Sequence, residues 1–92
     1  DEDRLSCSER IMLYLIARFF AKELGLVDKE TMKNKELAEM LKVDDHVISA
    51  RLTDLRRQGY VEQVSRGEHR IVIVHLERFL DEILSKVGGY DE

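Results

Sequence analysis

Five arginines fall between positions 51 and 70: Arg51, Arg56, Arg57, Arg66 and Arg70. A guanidinium is a planar fork of N–H donors that matches the oxygens of a phosphate, so this set suits contacts to phosphate. Arg51 stands close to Asp54 and reads equally well as an ordinary solvated residue. Arg66 and Arg70 favour function, because a hairpin tip gains little stability from charge. Residues for covalent chemistry are not arranged in a usable pattern. His46, His69 and His75 belong to three different predicted elements and lack metal-ligand spacing. There is no Gly-rich phosphate loop, no Cys–His ligand set and no nucleophile–base pair. The sequence therefore predicts a binding protein and no enzyme, with no cofactor and no metal.

The elements that must carry these side chains follow from periodicity. Ser6-Cys7-Ser8-Glu9 has capping-box chemistry and predicts a first helix running to about Leu24, closed near Gly25. Arg10, Tyr14, Arg18 and Lys22 recur every four residues as a narrow polar stripe, with Tyr14 a boundary residue. Ile11, Met12, Leu13, Leu15, Ile16, Phe19, Phe20 and Leu24 make nearly everything else apolar. A surface helix shows more polar residues than this, so cover on two sides is expected, one of them the core.

Asn34 is the predicted N-cap of a second helix, with Leu37, Ala38 and Leu41 inward. Lys42-Val43 make a turn, and Asp44 caps a third helix whose Ile48, Leu52 and Leu55 face the core. Gly59 ends that helix. Tyr60–Val64 and Arg70–Val74 read as strands joined by the loop Arg66–His69. Ile71–Val74 is apolar at successive positions, so this strand also calls for cover on both faces. Leu76, Phe79, Leu80, Ile83, Leu84 and Val87 form an amphipathic last helix, suited to cover the first helix or to meet a second copy.

Charge and composition bound the partners. Hydrophobic residues at 43% and charged residues at 37% fit a globular fold and exclude a disordered chain. One domain spanning 1–92 is expected, and nothing approaches the roughly 20 apolar residues of a membrane span. Cys7 is the single cysteine, which rules out an internal disulfide and points to an intracellular, cytoplasmic setting. The start at Asp1 and the Gly88–Glu92 tail point to a piece of a longer chain. Amides are confined to Asn34, Gln58 and Gln63 beside many Lys, Arg and Glu, a composition that leans thermophilic. The net charge is −4, with residues 34–75 neutral and 76–92 acidic, unlike the basic footprint of a typical nucleic-acid binder.

The segment from Asn34 to His75, with its ELA…V…IS…LxxL…GYV spacing, resembles the winged-helix family, a helix-turn-helix followed by a β-hairpin wing. The resemblance implies a mainly α fold with a small antiparallel sheet: helix, short strand, helix, helix, strand, strand, helix. It places the helix-turn-helix at 34–58, the wing at 60–75 and the C-terminal helix at 76–87. Thr31–Lys33 is the candidate for the short first strand.

The resemblance further implies that helix 45–58 enters the major groove of duplex DNA while wing residues 66–70 touch the backbone. The DNA-binding residues it implies are His46, Ser49, Thr53, Arg56, Arg57, Arg66, His69 and Arg70. Ser49 matches a position that often contacts base or phosphate. Asp44 and Asp45 depart from the family pattern and read as cap and dipole complement, although Asp45 could accept from cytosine N4. Ala50 offers no hydrogen bond. The implied role is a transcriptional regulator or the DNA-binding module of a larger protein. The alternative is a winged helix used as a protein-interaction module, through helix 1, strand 71–74 and the C-terminal helix. A homodimer through the first and last helices is compatible with either role.

Overall fold

The computed structural model describes residues 5–87. Asp1–Arg4, the Gly88–Glu92 tail and the side chain of Val87 lie outside that description. Helix α1 spans Cys7–Glu23 and opens on the expected capping box. Ser6 Oγ accepts the Glu9 N–H at 3.2 Å, and the Glu9 carboxylate accepts the Ser6 N–H at 2.8 Å. Leu24 caps the other end, and Gly25 at φ 78° lets the chain fold back. Its N–H bonds the carbonyl of Lys22, and that of Leu26 bonds Ala21 at 2.8 Å. This pair of bonds satisfies carbonyls that a helix end leaves open. Cys7 packs half-buried against the core.

Strand β1, Met32–Lys33, leads directly into α2, Asn34–Leu41. The N-cap of α2 is Lys33, one residue earlier than expected, and the Glu36 carboxylate accepts the Lys33 N–H. Asn34 is released from capping for another use. Lys42 turns the chain in the left-handed region at φ 62°. Asp44 then takes the N-cap position of α3, Asp45–Arg57, without a side-chain cap bond, so its contribution is charge at the positive helix end. Helix α3 closes as α1 does: Gly59 has φ 86°, its N–H bonds Arg56, and the Tyr60 N–H bonds Leu55 at 3.0 Å.

Strands β2, Val61–Ser65, and β3, Glu68–Ile71, form an antiparallel hairpin around Arg66-Gly67. The sheet order is β1-β3-β2, so β3 lies in the middle. Here the sequence reading needs correction. Glu68 and His69 belong to the strand rather than the loop, and the strand ends at Ile71 rather than Val74. The Val72 N–H makes one more bond, to the Tyr60 carbonyl. Ile73–His75 then tightens into a 3₁₀ turn. The physical reason is the destination of the chain. Helix α4, Leu76–Val87, must bring Phe79 and Ile83 onto the core, and the turn swings the backbone out of the sheet to do so. Ile73 and Val74 are left 45% and 81% exposed, so they need no second sheet face to cover them.

The core gathers one face from every helix. Ile11, Met12, Leu15 and Ile16 of α1 meet Leu37, Ala38 and Leu41 of α2 and Ile48, Leu52 and Leu55 of α3. Tyr60 stacks edge-on against Phe79 at 5.9 Å and joins α4 to the hairpin. Lys86 reaches Glu9 at 2.9 Å, which lays the end of α4 beside the start of α1. Arg18, on the polar stripe of α1, bonds Glu36 at 2.6 Å and the Thr31 carbonyl at 3.2 Å. It braces the loop before β1 against α2. Among the described residues, no helix is long and apolar enough to cross a membrane.

Candidate functional site

Three elements converge on one polar cluster: the start of α2, the middle of α3 and the centre of β3. Asn34 is its hub. Its Nδ2 donates to Ser49 Oγ at 2.9 Å, and its Oδ1 meets His69 Nε2 at 2.6 Å. Because the amide nitrogen serves the serine, the amide oxygen must accept, and His69 carries its proton on Nε2. The Asn34 N–H also bonds the Gly67 carbonyl at 3.2 Å, fastening α2 to the hairpin turn.

His69 is 2% exposed, and its other ring nitrogen, Nδ1, is buried without a partner. Burial first, and the charge of Arg56 second, hold its pKa below the ordinary histidine value. The ring is therefore neutral at pH 7. It is a strut between β3 and α2, which corrects the expectation of a surface contact. A ring buried to this degree does not meet a phosphate in solvent.

Ser49, Thr53 and Arg56 line one face of α3 at spacings of four and three. Thr53 Oγ1 donates to the Ser49 carbonyl at 2.9 Å and accepts from Arg56 Nη2 at 3.3 Å. The Ser49 hydroxyl accepts from Asn34 and keeps its own hydrogen to donate. A cavity of about 220 Å³ opens beside these groups, lined also by Gln63, Gly67 and His69. The cavity thus offers a hydroxyl donor and unused guanidinium N–H groups side by side, a donor set that suits an oxyanion. His69 reaches Ser49 only through the Asn34 amide, which orients the hydroxyl without offering it a base.

The remaining expected residues fall elsewhere. His46 is exposed in a separate shallow depression with Lys35, Asp44 and Asp45, at the acidic end of α3. Arg57 is exposed at the end of α3, and Arg66 is exposed in the hairpin turn. Arg70 is a second correction. It bonds Glu62 through Nε at 2.6 Å and Glu30 through Nη1 at 3.3 Å, so two carboxylates already use its charge. Arg51 pairs with Asp54 at 3.4 Å. Arg56, Arg57 and Arg66 have no carboxylate within 4.0 Å among the described residues.

Sequence reasoning missed Asn34 and Gln63 as cavity residues and Glu30 and Glu62 as the groups that neutralise Arg70. Glu62 left no signal in the turn alone: a regular hairpin closed at Arg66-Gly67 sets Gln63 across from Arg70, and the register shift between Gln63 and Ser65 brings Glu62 there instead. Asn34 left none beyond its suitability as a cap. Among the described residues, no group of three or more His, Cys, Asp or Glu is placed to hold a metal ion. No protein-family model, curated protein or solved structure matches this chain.

Proposed function

We propose that this chain is a winged helix-turn-helix module that binds duplex DNA through α3 and the β2–β3 hairpin, as a transcriptional regulator or as one part of a larger DNA-handling protein. The element order and the central position of β3 support the fold assignment. The observation that carries the function is the outward face of α3. Ser49, Thr53 and Arg56 stand there as hydrogen-bonding groups beside the hairpin, with Arg57 and Arg66 on either flank.

An α-helix with its side chains is about 10–12 Å across, and the major groove is about 12 Å wide, so α3 can enter it. In that pose Ser49 and Arg56 hold a backbone phosphate, and Arg66 reaches a neighbouring one. His46, three residues ahead of Ser49, comes to the base edges. Asp44 and Asp45 oppose the phosphates at that end and set the angle at which the helix can lie.

Three arginines without acidic partners among the described residues predict modest, salt-sensitive affinity. Each phosphate contact contributes about −0.9 to the slope of log affinity against log salt, giving a slope of about −3 for one module. Fluorescence anisotropy with a labelled duplex, titrated from about 50 mM to about 200 mM salt, tests this. Arg56→Gln and Arg66→Gln should each flatten the slope by about one. No duplex binding at about 50 mM salt would rule the reading out. That outcome would favour a protein-interaction module, for which the acidic start of α3 and the pairing of Arg51 and Arg70 already speak.

A further inference from the structure

We propose that two copies of this chain pair through the outward face of α1, antiparallel, about a two-fold axis at Ala17. Helix α1 turns Ile11, Met12, Leu15 and Ile16 to the core. Its opposite face carries exposed Ala17, Phe20 and Leu24 and half-buried Leu13, Tyr14 and Ala21, at spacings of three and four, with Leu13 and Tyr14 also touching the core and Arg10 as the one charge. Phe20 is 48% exposed and Leu24 73% exposed. A hollow of about 230 Å³ lies along this face between Leu5, Leu13, Tyr14 and Ala17, with Arg10 at its rim. Single exposed apolar residues are ordinary, but a stripe about three turns long is not.

The pattern of the stripe selects a second copy as its occupant. A two-fold contact requires that when one residue meets another, the second also meets the first. Antiparallel pairing centred on Ala17 sets Ala17 against its own copy and, because the two-fold keeps each flank of the stripe on its own side, Tyr14 against Ala21 and Leu13 against Phe20. The Tyr14 ring then faces a small residue, the Phe20 ring meets an aliphatic one, and two alanines at the centre let the helix axes approach to about 8 Å. Charge agrees with this direction. Arg10 comes to lie against the partner's last turn at Leu24, where the helix carbonyls and Glu23 concentrate negative charge. Lys22, two residues before Leu24, points to the far side of the helix. A parallel pairing would instead bring the two Arg10 side chains together. The pairing uses no residue of the α3 cavity, so it stands or falls independently of what α3 binds.

Light scattering and sedimentation of the full chain from about 1 µM to about 100 µM test it. The chain should run as a dimer. Ala17→Glu and Phe20→Lys, each at an exposed position, should weaken association by about 100-fold or more with an unchanged circular dichroism spectrum. A cysteine test fixes the geometry. In a Cys7→Ala background, Ala17→Cys should form a disulfide-linked dimer on mild oxidation, because residue 17 meets itself. Leu24→Cys should stay unlinked, because antiparallel copies hold residue 24 about 20 Å apart. A monomer at every concentration overturns the proposal and leaves the stripe to a helix of another protein. A dimer indifferent to both charged variants overturns it in favour of α4, and linking through Leu24→Cys overturns the antiparallel direction.

Discussion

Helices α1 and α3 do the same work on one side and opposite work on the other. Inward, each offers a tight set of aliphatic side chains, Ile11, Met12, Leu15 and Ile16 in one and Ile48, Leu52 and Leu55 in the other. Both close on a left-handed glycine that ties off the last carbonyls. Outward, α1 offers leucine, alanine and aromatic rings, whereas α3 offers hydroxyls and guanidinium groups. The stability of the domain resides in what the two helices share, and the proposed contacts with DNA and with a second copy use the faces on which they differ.

The largest test addresses the shared side. Leu15→Ala and Leu52→Ala each empty a fully buried site and should cost about 2–5 kcal/mol, read from urea unfolding midpoints. A much smaller loss in one of them would mean that the two inward faces are not equivalent. Next in size is Asn34→Ala, which strands the buried Nε2–H of His69 and should cost about 1–3 kcal/mol. Ser49→Ala removes only an exposed partner of the same amide and should cost less. The difference between the two variants measures how far the polar face of α3 contributes to the fold.

The pH dependence separates the two helices further. The pKa of His69 is depressed from 6.5 in the folded chain, so the unfolded chain binds the proton more readily. The stabilisation is complete above about 6.5 and is lost progressively as pH falls through 6.5 toward the folded value. In His69→Gln that part of the pH profile should flatten, while variants on the outer face of α1 should leave it unchanged. The smallest effect is in binding. Arg56→Gln should weaken duplex binding several-fold, and Arg70→Gln should change it less, because Glu62 and Glu30 already hold Arg70. Equal losses would show that the ion pairs open on binding.

What could be read in advance was whatever repeats locally. The spacing of Leu37, Ala38 and Leu41 and of Ile48, Leu52 and Leu55, the Ser6–Glu9 box and Gly59 all announce helix faces or ends within a few residues. The third strand was misplaced because apolar character suggested Ile71–Val74, whereas the true strand, Glu68–Ile71, turns His69 and Ile71 inward. A buried histidine is polar to any pattern based on hydropathy. Its burial depends on Asn34, 35 positions earlier, and no local window contains both. Arg70 failed for a similar reason, since Glu30 lies 40 positions away. In the candidate site, the α3 residues Ser49, Thr53 and Arg56 could be read from helical phase. The partners that orient or neutralise their neighbours depend on the tertiary fold.

The order of the sheet has a consequence for how the molecule avoids unwanted association. Its two outer strands are β1, only two residues long, and β2, whose register slips between Gln63 and Ser65. A short strand offers too few backbone groups to template another chain, and a bulge twists the remaining edge away from flat pairing. Charged Glu62 and Arg66 lie on or beside that edge. Fibre-like growth by strand addition is thus opposed at both edges of the sheet.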